Sequence, residues 1–178
     1  YLTFAYNSTG DIGITGVNGA VLRYNSASDQ TRFRFYKSTT YTAQQVIYLY
    51  KKATSATTDE PAQTDTPEPA ETDTPEPTAT ASTSTWQLVT LDSDLVAGDE
   101  YIIAAVGYDY AISTTQGDNN RGQSAITKSG STATLGSDTQ VFTLGGATGA
   151  WTFYDATAAG YLYAASSSSN YLKTQTTN

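Results

Sequence analysis

The sequence predicts an all-β fold. Short runs rich in β-branched and aromatic residues recur every 8 to 12 residues, with turn chemistry between them. No stretch keeps a helical period over three turns. In addition, one part of the chain repeats another, and the length of that repeat narrows the architecture.

The strands are expected in two segments, residues 1–52 and 86–178. In the first they fall at Leu2-Thr3-Phe4, Asp11 to Thr15, Ala20 to Tyr24, Arg32 to Tyr36 and Val46 to Tyr50, separated by turns such as Asn7-Ser8-Thr9-Gly10 and Asn18-Gly19. Alternation in Arg32 to Tyr36 and Tyr48 to Tyr50 predicts strands with one face in the core and one in water. In the second segment the strands are Trp86 to Val89, Tyr101 to Val106, Tyr110 to Ser113, Val141 to Leu144, Trp151 to Tyr154, Tyr161 to Ala164 and Tyr171 to Thr174. Asp94 to Glu100 reads as a turn, and Gly117 to Gly122 with the Ser/Thr/Gly-rich stretch after it as loop.

Residues 53–85 separate the segments. This stretch holds all five prolines and seven carboxylates, with no Lys, Arg or aromatic residue, so it has no apolar surface to bury and is expected to be an extended, solvated linker. It contains its own eight-residue repeat, Thr64 to Glu71 followed by Thr72 to Ala79. At a polyproline II rise, 33 residues reach on the order of 100 Å. Thr beside Pro also resembles O-glycosylated stalks, which makes Thr64, Thr66, Thr72 and Thr74 candidate acceptors, with a bare spacer as the alternative.

Composition excludes several chemistries. The 178 residues include no Cys, His or Met, which rules out the usual zinc sites, thiol nucleophiles, Ser-His-Asp triads and imidazole acid-base catalysis. No catalytic, cofactor-binding or metal-binding residues are assigned, and no cofactor is expected. The net charge of −8 argues against nucleic acid. No apolar run approaches the roughly 20 residues of a membrane span. Abundant Ser, Thr, Ala, Gly, Asn and Tyr with scarce Lys point to an extracellular or cell-surface protein of bacterial type. A chain that starts at Tyr1 rather than Met is expected to have been cut from a longer precursor.

Charge is unevenly spread. Residues 1–52 carry six basic groups against two acids, and residues 86–178 carry three against eight. Opposite signs favour association of the two segments.

The repeat pairs Trp151 to Thr174 with Leu2 to Asn25, with a single one-residue shift. Trp151-Thr152-Phe153 meets Leu2-Thr3-Phe4, Tyr161 and Tyr163 meet Ile12 and Ile14, and Leu172-Lys173 meets Leu22-Arg23. A looser third copy runs from Tyr101 through Ile112. Three such units are what a β-trefoil needs.

The residues Trp86-x-x-Val89, Leu95-x-x-Gly98-Asp99-x-Tyr101, Asn119-Asn120-Arg121, Gly160 to Ser166 with Asn170 to Lys173, Leu22 to Asn25, Arg32-Phe33-x-x-Tyr36 and Ile47 to Lys52 together resemble a β-trefoil-like accessory or repeat module of secreted bacterial surface proteins. The resemblance implies no particular activity. It does imply an order, and this chain departs from it: residues 1–52 match the C-terminal part of such a module and residues 86–178 the N-terminal part. The expectation is therefore a β-trefoil-like domain assembled from two segments joined by the Pro/Thr/Glu-rich linker. The segments would meet within one chain, in a tandem array, or between successive copies in a head-to-tail polymer.

Function follows as expectation: a non-enzymatic structural module, a repeating unit of a surface filament or adhesin-like array whose partners are other copies of itself. The alternative is a carbohydrate-binding module on a secreted enzyme, with glycans as partners and Trp86, Trp151 and tyrosines as stacking faces. Asn119-Asn120-Arg121 reads either as a ligand contact or as a self-bonded turn. Asp92, Asp94, Asp99 and Glu100 match no Ca²⁺ loop spacing, and Asn7-Ser8-Thr9 is a weak glycosylation sequon.

Overall fold

The computed structural model describes residues 1–38, 42–53, 84–166 and 168–177. Among them every strand pairing is antiparallel. The first segment supplies β1 (Leu2–Tyr6), β2 (Ile12–Gly16), β3 (Val21–Asn25), β4 (Arg32–Tyr36), β5 (Gln44–Gln45) and β6 (Ile47–Lys52). The second supplies β7 (Trp86–Val89), a short 3-10 turn (Asp92–Asp94), β8 (Glu100–Ala105), β9 (Tyr110–Gln116), β10 (Arg121–Ala125), β11 (Thr127–Ser129), β12 (Thr132–Thr134), β13 (Phe142–Ala147), β14 (Ala150–Asp155), β15 (Gly160–Tyr163) and β16 (Lys173–Gln175). The chain is all-β.

Strands from the two segments form one sheet. β6 lies between β7 and β8, with Leu49 opposite Val89 on one side and Ile103 on the other. β1 pairs with β14 at Leu2 and Trp151, and β10 pairs with β4 at Arg121 and Phe33. Six strands close a circuit: β6 to β8, β13, β14, β1, β2 and back to β6. Three hairpins, β3/β4, β9/β10 and β15/β16, stand outside this circuit. Taken from Trp86 onward and through the N-terminal segment last, the strands fall into three units, each with a hairpin between two circuit strands: β8, β9, β10, β13; then β14, β15, β16, β1; then β2, β3, β4, β6.

Alternation explains why the circuit closes on an apolar interior. In β2 and β3, Ile12, Ile14, Leu22 and Tyr24 are buried while the residues between them face outward. They share one cluster with Phe33, Phe35, Ile47, Leu49, Tyr101, Ile103, Phe142, Leu144 and Phe153. Both segments contribute, and neither has this core without the other. Phe4 stacks against Phe153 at 5.4 Å between ring centroids, and Phe153 meets Phe142 at 5.5 Å. A second cluster, Tyr50, Trp86, Ile102, Ala104, Ala111, Ile126 and Ala133, packs together where β12 pairs with β7.

Two expectations need correction. The equivalence of Trp151 to Thr174 with Leu2 to Asn25 holds through the first strand and shifts inside the hairpin turn. Phe4 lies opposite Ile14, and the pairing of Tyr154 with Tyr161 brings Phe153 level with Leu162. The counterpart of Ile14 is thus buried Leu162, not half-buried Tyr163, because turn 156–159 is one residue shorter than turn 7–11. The loop expected after Gly117 also contains β10, β11 and β12. Their sequences, such as Arg-Gly-Gln-Ser-Ala, have little β-propensity, and pairing with β9, β4 and β7 makes them strands.

Charge asymmetry between the segments is expressed locally. Lys51 Nζ lies 2.6 Å from Asp99 Oδ2 and Lys52 Nζ 2.5 Å from Glu100 Oε2, so two ion pairs cross from β6 to the start of β8. Each is open to water and contributes at most about 1 kcal/mol.

Candidate functional site

The three hairpins meet at Asn119-Asn120-Arg121, the segment that the sequence offers as either ligand contact or turn. The turn is held from within: the Gly117 N–H donates to the Asn120 carbonyl over 2.8 Å, and Gln116 Nε2 donates to the same carbonyl over 2.8 Å. Asn119 then reaches both other hairpins. Its side-chain oxygen accepts from Arg34 Nη2 of β4, and its carbonyl accepts the Leu172 N–H at 2.9 Å beside β16. Gln116 Nε2 also donates to the Leu172 carbonyl at 3.1 Å.

Arg121 lies beneath this junction and is almost wholly buried, at 1% exposure. Its guanidinium forms an ion pair with Asp155 at the end of β14, which is 0% exposed. Arg121 Nη2 donates to Thr174 Oγ1 at 2.6 Å, and Nη1 to the Thr114 carbonyl at 3.3 Å. Asp155 Oδ1 accepts the Ala158 N–H at 3.0 Å and so also closes the β14–β15 turn. One buried cation thereby joins β9, β14 and β16. Asp155 and Thr174 had no signal in the sequence, since a lone acid after an aromatic strand reads as a turn residue.

Above the pair is an open cleft of about 520 Å³ bordered by Gln116, Asp118, Thr157, Lys173 and Thr174. Its lining mixes polar and apolar surface, and the charges of Asp118, Asp155, Arg121 and Lys173 balance. Of the two carboxylates that border the cleft among the described residues, Asp155 is committed to Arg121 and to the Ala158 amide.

Several other candidates are used structurally, while Tyr1, Tyr108 and Tyr171 keep exposed ring faces. Trp86 and Trp151 are 2% and 6% exposed, so neither presents a stacking face. Tyr24 is buried against Phe33 at 5.0 Å and Tyr108 at 5.5 Å. Asp99 and Glu100 hold Lys51 and Lys52, and the Asp94 carbonyl accepts from the Tyr101 hydroxyl at 3.3 Å. Asn7 Nδ2 donates to Asp11 Oδ2 at 2.6 Å. No cluster of three or more acidic residues arranged to hold a metal occurs among the described residues. Thr64, Thr66, Thr72 and Thr74 lie outside the described residues.

No helix among the described residues is long and apolar enough to cross a membrane. No family model, curated protein or solved structure matches the chain, so the resemblance to secreted surface modules rests on its motifs alone.

Proposed function

We propose that the protein is a non-enzymatic structural module of the bacterial exterior, a β-trefoil whose domain is built from two segments and is completed between successive copies in a surface filament or adhesin-like array. The observation that carries this reading is at the ends of the linker. The Ala53 N–H donates to the Thr85 carbonyl over 2.8 Å, continuing the β6–β7 ladder by one rung. Ala53 and Thr85, the residues that flank the linker, are therefore neighbours in the sheet, whether β6 and β7 come from one chain or from successive copies. The unit β14, β15, β16, β1, by contrast, is divided between the two ends of the sequence.

Closure within one chain and exchange between copies use the same ladders, core and ion pairs. They differ in the entropy of closing one loop, which favours the closed monomer until concentration approaches the effective concentration of the tethered segment, on the order of millimolar for short flexible linkers. A chain held in a row of copies meets that condition by position. The glycan-binding alternative ranks below because both tryptophans are buried, which leaves it only the exposed tyrosines Tyr1, Tyr108 and Tyr171 as stacking faces.

Refolding the chain over a wide range of protein concentration, followed by size-exclusion chromatography with light scattering and by electron microscopy, tests the exchange. A ladder of head-to-tail oligomers whose share grows with concentration is the expected result. A monomer at every concentration would sink the exchange and leave closure within one chain.

A further inference from the structure

The positive charge of the first segment is concentrated on one face of one hairpin. Arg23 of β3 lies directly opposite Arg34 of β4, and Arg32 opposite Asn25, so three guanidinium groups share the outward face of β3/β4. Like charges directly opposite one another are unfavourable in a sheet. The arrangement is also incompletely bonded. Arg23 Nη1 and Arg34 Nε are buried and have no hydrogen-bond partner among the described residues. Arg34 Nη2 has only the neutral Asn119 amide oxygen, and Arg32 only Gln30. No carboxylate among the described residues lies within ion-pair distance of any of the three. The nearest acid acting on Arg23 is Asp11, whose carboxylate is taken up by Asn7 and Thr9.

Among the described residues Lys51, Lys52, Arg121 and Lys128 each have a carboxylate partner. Lys37 and Lys173 have none among them, but each stands alone, on the Asn18 carbonyl and over the Tyr171 ring, whereas Arg23, Arg32 and Arg34 are grouped on one face in a chain of net charge −8. The buried nitrogens are closed to a ligand, but the remaining guanidinium edges of this half-buried face are free of carboxylates among the described residues, and planar guanidinium groups bind carboxylates with paired, charge-assisted hydrogen bonds. Burial lowers the pKa of both Arg23 and Arg34 from the ordinary arginine value, which is the direction expected of cations that lack a counter-ion.

We propose that the Arg23/Arg32/Arg34 face binds an acidic, proline-rich peptide, and that the Thr64 to Pro77 sequence of a second copy of this chain is its ligand. Charge complementarity chooses this occupant. Residues 53–85 hold seven carboxylates and no cation. Asp65, Glu68 and Glu71 are spaced by three, as are Asp73 and Glu76, so a peptide in polyproline II form, with three residues per turn, presents each set on one side. Cross-links of this kind would join neighbouring copies laterally, whether their cores are completed within or between chains; the inference does not depend on the exchange.

The test uses the full chain carrying Asp65→Asn, Glu68→Gln, Glu71→Gln, Asp73→Asn and Glu76→Gln, so that its own sequence does not compete. A synthetic peptide of sequence TDTPEPAETDTPEP is titrated in by calorimetry, beside the same peptide with amides for its five acids and beside inorganic sulfate. The acidic peptide is expected to bind, more weakly as salt is raised, and to lose at least tenfold in affinity with Arg23→Gln/Arg34→Gln. The charge-conserving Arg23→Lys/Arg34→Lys variant should retain part of it, and circular dichroism would verify that both variants are folded. Equal binding of the amide peptide, no binding of either, or sulfate binding as tightly as the peptide would overturn the assignment.

Discussion

Arg121 of β10 and Asp155 of β14 form an ion pair from which water is excluded on both sides, at 1% and 0% exposure. It links two of the three units, and Thr174 on β16 completes the contact. Removing one partner leaves the other charged, buried and unmatched, which costs about 3–5 kcal/mol. Asp155→Ala is expected to lower unfolding free energy by that amount in urea titration, and Arg121→Met/Asp155→Leu to cost less than the single change. A loss under about 1 kcal/mol for Asp155→Ala would show that the pair does not hold the hairpins.

Alkali should destabilise the protein through two buried tyrosines. Burial raises the hydroxyl pKa of Tyr24 and of Tyr50 to about 12. In the unfolded chain both ionise near 10, so between about 10 and 12 the unfolded state binds fewer protons than the folded one and stability falls with rising pH. Asp11 has the opposite dependence at the other end of the scale. Burial acts to raise its pKa, but hydrogen bonds from Thr9 and Asn7 outweigh burial and hold it below the ordinary aspartate value. Its contribution is present above about 4 and is lost as pH falls through the folded value. Thermal melts from pH 3 to 12 should show both limbs; Asp11→Asn should flatten the acid limb, and an unchanged acid limb would exclude this role.

Ala159 has φ of +50°, and no other described residue except glycine has a positive φ. It closes the short β14–β15 turn, whereas the one-residue-longer turn between β1 and β2 has its positive φ at a glycine, Gly10, at +80°. An L-side chain in this region costs roughly 1–2 kcal/mol relative to glycine. Ala159→Gly is therefore expected to raise the denaturation midpoint by the equivalent of about 1 kcal/mol, somewhat offset by the larger unfolded-state entropy of glycine. A lower midpoint would mean that the Ala159 methyl group makes a packing contact worth more than the strain.

Much of the strand pattern was legible because it depends on local chemistry. Phe33 and Phe35 alternate with Arg32 and Arg34 in sequence, and the structure buries the first pair and turns the second outward. Tyr161 and Tyr163 do not take the places of Ile12 and Ile14 because a one-residue difference in turn length exchanges the faces of a strand, and aromatic residues suit either face. β10 has no strand signal in its sequence because its backbone is drawn into the sheet by β9 and β4, not by its own side chains. Arg121 stands out in the sequence within Asn119-Asn120-Arg121, but its partner Asp155 is 34 residues away and its role appears only when the end of β14 meets the Arg121 side chain.

The sequence alone determined the all-β class, the two strand-rich segments, the acidic proline-rich stretch between them and the excess of positive charge in the first segment, because composition and alternation act over a few residues. The tertiary structure decided which strands meet. It placed Leu49 between Val89 and Ile103, gathered three hairpins on Asn119, and set Arg23 against Arg34. These are pairings between residues far apart in sequence, fixed by the closure of one shared core, and no local pattern carries that information.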